Sequence, residues 1–107
     1  MYSVLIVDDE PMIRKGIHTV LAGANLPIDD IREAANGVDA LSMMREKIAH
    51  IVISDLRMPK MDGLELCRRL RKLCPEIFII IVSGYDDFKY AQEVLQYGVK
   101  NYLLKPV

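Results

Sequence analysis

A chain of 107 residues, 51% hydrophobic and 27% charged, has the length of one globular domain and the composition of neither a disordered segment nor a repeat solenoid. Its formal net charge of -1 shows no net basic character to suggest the concentrated cationic surface that a nucleic-acid backbone normally requires, so no direct nucleic-acid binding is expected of this domain. Cys67 and Cys74, in or beside one helical segment, suggest neither a disulfide framework nor a zinc site and read as core or surface thiols.

The opening MYSVLIVDDE holds an apolar run too short for a signal peptide or a membrane span, so a cytoplasmic location without membrane association is expected. Within it, Val4 to Val7 stops abruptly at Asp8, Asp9 and Glu10, the pattern of a strand buried on both faces that ends at a polar edge. Pro11 suits a first helical turn, and Ile13, Ile17, Val20, Leu21 and Ala24 recur with helical spacing until Asn25 and Pro27. Asp30 to Ala35 reads as a more polar second strand; Val38, Leu41, Met44 and Ile48 mark one face of a second helix.

His50 to Ser54 is β-branched and short, as a central strand should be, and it runs into Asp55. Leu66, Cys67, Leu70 and Leu73 trace a third helix with Asp62 as its cap, and Ile77 to Val82 forms a fourth strand ending at Ser83 and Gly84. Asp86 or Asp87 can cap a fourth helix whose apolar face is Phe88, Ala91, Val94 and Leu95, closed by Gly98; Lys100 to Leu104 is the fifth strand. Strands alternating with helical segments predict right-handed βαβ crossovers and one α/β domain, a doubly wound parallel sheet with helices on both faces. One helix fewer than strands leads to the expectation that a final helix is missing, with apolar sheet surface exposed beside the first helix.

Open parallel sheets gather their chemistry at the carboxyl ends of the strands. Here those ends carry Asp8 and Asp9, then Asp55, Ser83 and Lys105. Taken singly, Asp8 or Asp9 could be a helix cap, Ser83 a turn residue and Lys105 a solvated charge. Together they assemble three carboxylates, which repel one another unless a cation sits among them. Magnesium, a hard ion that bridges one or two carboxylates to a phosphoryl group, fits that set, whereas His18, His50 and the cysteines lie apart and give zinc little support. Asp55 can then act as nucleophile and form an acyl phosphate, with magnesium and Lys105 neutralising developing charge and Ser83 donating a hydrogen bond.

The segments VLIVDDEPMIRKGI, VISDLRMPKMDGLEL, IIIVSGYDDFKYA and NYLLKPV together resemble the receiver domain of bacterial two-component response regulators over essentially the whole chain. The resemblance implies a flavodoxin-like sheet of order 2-1-3-4-5, normally with five helices. It implies that Asp55 is the phosphoacceptor, that Asp8 and Asp9 position magnesium, and that the backbone carbonyl of Arg57 is a further metal ligand. Ser83 matches the switch hydroxyl, Tyr102 the switch aromatic and Lys105 the active-site lysine, with a cis peptide expected at Lys105–Pro106. Such a domain catalyses its own phosphorylation. Arg57 and Tyr85, two positions beyond Asp55 and Ser83, are poor at orienting water, so slow self-dephosphorylation is expected. His50 and Ala49 depart from the family pattern without touching the site.

The expected partner is a sensor histidine kinase. The stretch from Ser83 to Val107 resembles receivers joined to AraC-type helix-turn-helix domains, which implies a DNA-binding output domain elsewhere in the protein and an output surface from Asp87 through Tyr102. A receiver homodimer through that surface would be weakened by loss of the last helix. Two rivals are an interaction module that is never phosphorylated and a metal-dependent phosphatase turning over through an aspartyl phosphate. The complete set of site residues argues against the first, and the lack of a second acid or base beside Asp55 against the other.

Overall fold

The computed structural model describes residues 1–56, 58–83 and 101–104, with Ser83 and residues 101–104 described by their backbone alone. The elements run β1 (Tyr2–Val7), α1 (Pro11–Gly23), β2 (Ile28–Ala34), α2 (Gly37–Glu46), β3 (Ile51–Asp55), α3 (Gly63–Leu73), β4 (Phe78–Ser83) and β5 (Asn101–Leu104). The five strands form one sheet in the order β2-β1-β3-β4-β5, and each adjacent pair is parallel. This is the doubly wound sheet that the alternation of apolar runs implied, in the flavodoxin-like order that the resemblance implied. The expected helix between β4 and β5 falls on positions outside the described residues.

Strand parity divides the core. Leu5 and Val7, Val52, and Ile79 and Ile81 belong to one cluster with Ala40, Leu41 and Met44 of α2 and Leu66, Cys67 and Leu70 of α3. Residues of the other parity, Ile53, Ile80 and Val82, join Gly16, Ile17, Val20 and Leu21 of α1 around a groove of about 260 Å³. Both faces of β1 are buried, which explains its unbroken apolar run.

Boundaries and faces differ from expectation in instructive ways. The second strand starts two residues earlier, at Ile28, because Tyr2 N–H bonds the carbonyl of Pro27 and Tyr2 pairs with Ile28. Helix α2 ends at Glu46, so helical spacing does not place Ile48, which is 47% exposed; Val38 sits one step round the helix from the buried face of Gly37, Ala40, Leu41 and Met44. In α1, Val20 lines the open groove and is 70% exposed. The half-buried residues are Ile13, Arg14, Ile17, His18 and Leu21; Arg14 and His18 both reach Glu33 of β2, while Ile17 and Leu21 line the groove against β3 and β4.

Side-chain caps start two of the helices. Asn36 Oδ1 accepts the Asp39 N–H at 2.9 Å, and Asp62 Oδ1 accepts the Glu65 N–H at 2.9 Å. The second agrees with the cap read from the sequence. Replacing Asp62 by Ala is expected to cost about 1 kcal/mol, measured as a lower urea midpoint with unchanged denaturant slope. Among the described residues, no helix is long and apolar enough to cross a membrane.

Candidate active site at the carboxyl edge of the sheet

Strand register brings the acidic residues together. Val7 is level with Ser54 across the β1–β3 ladder, so Asp8 and Asp55 are the next positions on neighbouring strands. Asp55 is level with Val82, which makes Ser83 the next residue along β4; Ser83 in turn is level with Leu104, the residue before Lys105. A carboxylate oxygen from each of Asp8, Asp9 and Asp55 lies within 4.8 Å of the others. Asp8 is 1% exposed and Asp55 4%, while Asp9 is open to solvent.

Neither Asp8 nor Asp9 is the N-cap of α1, since that position is Glu10 and it makes no side-chain cap bond. The acidic pair is therefore not explained as a helix start. Asp8 is held through backbone and side chain: its N–H donates to Ala34 O at 3.1 Å, its Oδ1 accepts from Glu10 N–H at 2.9 Å, and its carbonyl accepts from Arg14 Nη1 at 2.7 Å. Asp55 Oδ1 accepts the Leu56 N–H at 2.8 Å, which sets the plane of the carboxylate. Ser54 Oγ donates to the Asp55 carbonyl at 2.8 Å.

Behind Asp55 the chain turns through Leu56 into a loop that leads to α3. Gly63 N–H donates to Leu56 O at 2.6 Å, and a Cβ at Gly63 would stand 2.3 Å from Asp55 O. Gly37 makes a similar approach at the start of α2, where a Cβ would meet Met61 O at 2.7 Å. Two glycines thus let two helix N-termini close on the loop, one of them directly behind Asp55.

Three hard carboxylate oxygens, two of them on buried residues, suit magnesium or a comparable hard cation and offer nothing to a soft one. His18 and His50 lie apart from this group. His18 Nδ1 is 2.8 Å from Glu33 Oε2, and His50 Nδ1 accepts from Ser3 N–H at 3.0 Å near the amino end of the sheet. The hydrogen bond from His18, with Arg14 adding to it against a partial opposing effect of burial, holds Glu33 below the usual carboxylate range. Burial pushes the Cys67 thiol up to about 12, so it is a core residue and not a nucleophile.

Arg57, with the carbonyl expected as a metal ligand, and Lys105, with its peptide to Pro106, lie outside the described residues, as do the side chains of Ser83 and Tyr102 and most of the expected output surface. Sequence reasoning did not find Arg14, Glu33 or Gly63. Arg14 and Glu33 come from different elements, and nothing in their spacing marks them as neighbours; Gly63 carried a signal only as a glycine at a helix start.

An acidic cluster with two buried members at the carboxyl edge of a β2-β1-β3-β4-β5 sheet defines the class of receiver-like α/β domains. The chain belongs to the response regulator receiver domain family, whose model matches residues 4–107. It is 42% identical over 106 residues to the uncharacterized transcriptional regulatory protein YesN of Bacillus subtilis, covering 99% of this chain and 29% of that protein. It is 38% identical over 107 residues to the transcriptional regulatory protein HptR of Staphylococcus aureus, covering 100% of this chain and 42% of that one. The chain therefore spans less than half the length of these relatives. Among solved structures, it superposes on a LuxR-family DNA-binding response regulator from Staphylococcus aureus with a TM-score of 0.90 at 28% identity, over 100% of this chain and 88% of the other.

Proposed function

We propose that Asp55 is the phosphoacceptor of this receiver and that Asp8 and Asp9 hold the magnesium ion on which its phosphorylation depends. The observation that carries the reading is the cluster of Asp8, Asp9 and Asp55, with ligand atoms within 4.8 Å at the carboxyl edge of the sheet. When bound, the ion would offset the mutual repulsion of the carboxylates and the charge that develops on the phosphoryl oxygens. The protein supplies the rest of the arrangement. The Leu56 N–H fixes the Asp55 carboxylate, and the register sets Ser83 one position beyond the partner of Asp55 and level with Leu104, which precedes Lys105 in the sequence.

In the transfer, an Asp55 carboxylate oxygen attacks phosphorus. The new O–P bond forms as the N–P bond of a phosphohistidine breaks, and the imidazole leaves with a proton. With acetyl phosphate as donor, the bond that breaks is P–O and acetate leaves. The backbone carbonyl of Arg57 is the proposed further metal ligand, Lys105 the cation facing the phosphoryl group, and Ser83 with Tyr102 the switch that reads it. The proposed donor is a sensor histidine kinase in the cytoplasm. The proposed output is a DNA-binding domain of the whole protein, a reading supported by relatives whose names describe transcriptional regulators.

The test is to incubate the chain with acetyl phosphate, with magnesium or with excess EDTA, and to measure the intact mass and map the modified peptide. One phosphoryl adduct is expected, dependent on magnesium and located in the peptide containing Asp55. A folded chain that gains no adduct with magnesium present would leave the interaction-module reading in its place.

A further inference from the structure

Asp8 and Asp9 can serve one ion only if the peptide between them is held at a particular angle. That peptide carries the carbonyl of Asp8, and its oxygen accepts from Arg14 Nη1 at 2.7 Å. The same guanidinium donates through Nε to Glu33 Oε1 at 3.2 Å, and Glu33 Oε2 lies 2.8 Å from His18 Nδ1. The Arg14 side chain is 17% exposed, so its two bonds are made with little competition from water. Resting on the proposed magnesium reading of the acidic cluster, we propose that Arg14 is a positioning residue. It clamps the Asp8–Asp9 peptide plane, with Glu33 as its brace, and thereby sets the two carboxylates for a divalent cation.

The geometry makes this more than ordinary packing. The Asp8 N–H is tied to Ala34 O and the Asp8 carboxylate to Glu10 N–H, so those two bonds fix the position of residue 8 and its side chain. The second of these closes a turn across the Asp8–Asp9 peptide, and the Asp9 side chain beyond it is solvent-exposed. Arg14 holds the carbonyl of the same peptide from α1, and Glu33 ties the clamp to β2, the strand that also receives the Asp8 N–H. A guanidinium can do this because its planar fork serves two acceptors at once, whereas an ammonium is a point charge. Groups behind the ligands of a metal set their orientation in the same way, and losing one weakens binding by about tenfold or more.

A purely electrostatic role would have the opposite sign. A cation beside the cluster repels a divalent ion, so removing its charge would tighten binding. The two roles are therefore separable with Arg14→Met, which removes charge and fork, and Arg14→Lys, which keeps the charge and removes the fork.

Magnesium affinity is measured by titration calorimetry on the 107-residue chain and both variants, with circular dichroism confirming the fold. The magnesium dependence of phosphorylation by acetyl phosphate is followed in parallel. Both variants are expected to bind magnesium about tenfold more weakly. Their half-saturating magnesium for adduct formation should rise in step, while the rate at saturating magnesium stays close to that of the unaltered chain. If Arg14→Met fails to fold, the milder Arg14→Lys and a Glu33→Leu variant, which removes the brace alone, are each expected to show the same direction of change. Unchanged or tighter magnesium binding in folded Arg14→Lys would overturn the clamp while leaving the metal reading intact. An unaltered chain that binds no magnesium would overturn both.

Discussion

Asp55→Asn is expected to abolish the phosphoryl adduct while preserving the fold. The amide oxygen of Asn can still accept the Leu56 N–H that Asp55 Oδ1 accepts at 2.8 Å, and the replacement is nearly isosteric at a site where the native residue is only 4% exposed. An amide is no nucleophile toward phosphorus at neutral pH, so the loss should be complete rather than partial. The same substitution removes one negative charge from three carboxylates whose ligand atoms lie within 4.8 Å of one another, and with it much of the hold on a divalent cation. Magnesium at about 100 times its dissociation constant should stabilise the unaltered chain by about 2.7 kcal/mol, since it binds the folded state alone. That increment should shrink sharply in the variant. Urea unfolding of both proteins with and without magnesium, alongside intact-mass measurement after acetyl phosphate, reads the two effects separately. A variant still modified at the mapped peptide would remove Asp55 from the nucleophile's role.

The second large effect is steric. Gly63→Ala places a methyl group where it would stand 2.3 Å from Asp55 O and 2.8 Å from Leu56 Cα. Both neighbours are backbone atoms, one of them in β3 and the other just after it, so neither can swing aside as a side-chain terminus could. Either α3 retreats, weakening the 2.6 Å bond from Gly63 N–H to Leu56 O, or the backbone at Asp55 shifts toward the acidic cluster. The expected cost is about 3 kcal/mol, or on the order of 10 °C in Tm. Gly16→Ala is the control: a Cβ there meets nothing within 4 Å, and alanine in mid-helix should stabilise by about 0.5 to 1 kcal/mol. Thermal and urea unfolding of the two variants should therefore move in opposite directions. Equal midpoints for both would show that the approach at Gly63 is not a constraint.

Most of the architecture was legible because buried parallel strands advertise themselves. The runs at Val4–Val7, Ile51–Ile53 and Ile77–Val82 are apolar on both faces, and each gives way to polar residues where a site can form. The cap at Asp62 was legible for a local reason, since an acceptor three residues from its donor needs only the chain's own geometry. In α1 the recurrence of Ile17, Val20 and Leu21 picks out residues that line the groove against β3 and β4, although Val20 is 70% exposed there. Here Arg14 and His18 also turn inward, drawn by Glu33 on β2. At Ile48 the spacing carried past a helix that stops at Glu46.

The sequence by itself determined that Asp8, Asp9 and Asp55 follow buried strands, because the change from apolar to acidic is a property of neighbours along the chain. It also determined the family, which rests on the order and spacing of the same motifs. Only the tertiary structure decided that the three carboxylates converge within 4.8 Å, since that depends on the β1–β3 register. Only it brought Arg14 to the Asp8 carbonyl with Glu33 behind it, and set Gly63 against the backbone of Asp55. Those contacts join different elements, and how closely elements pack is set by the volume and bonding of every residue between them, which leaves no period in the sequence to read.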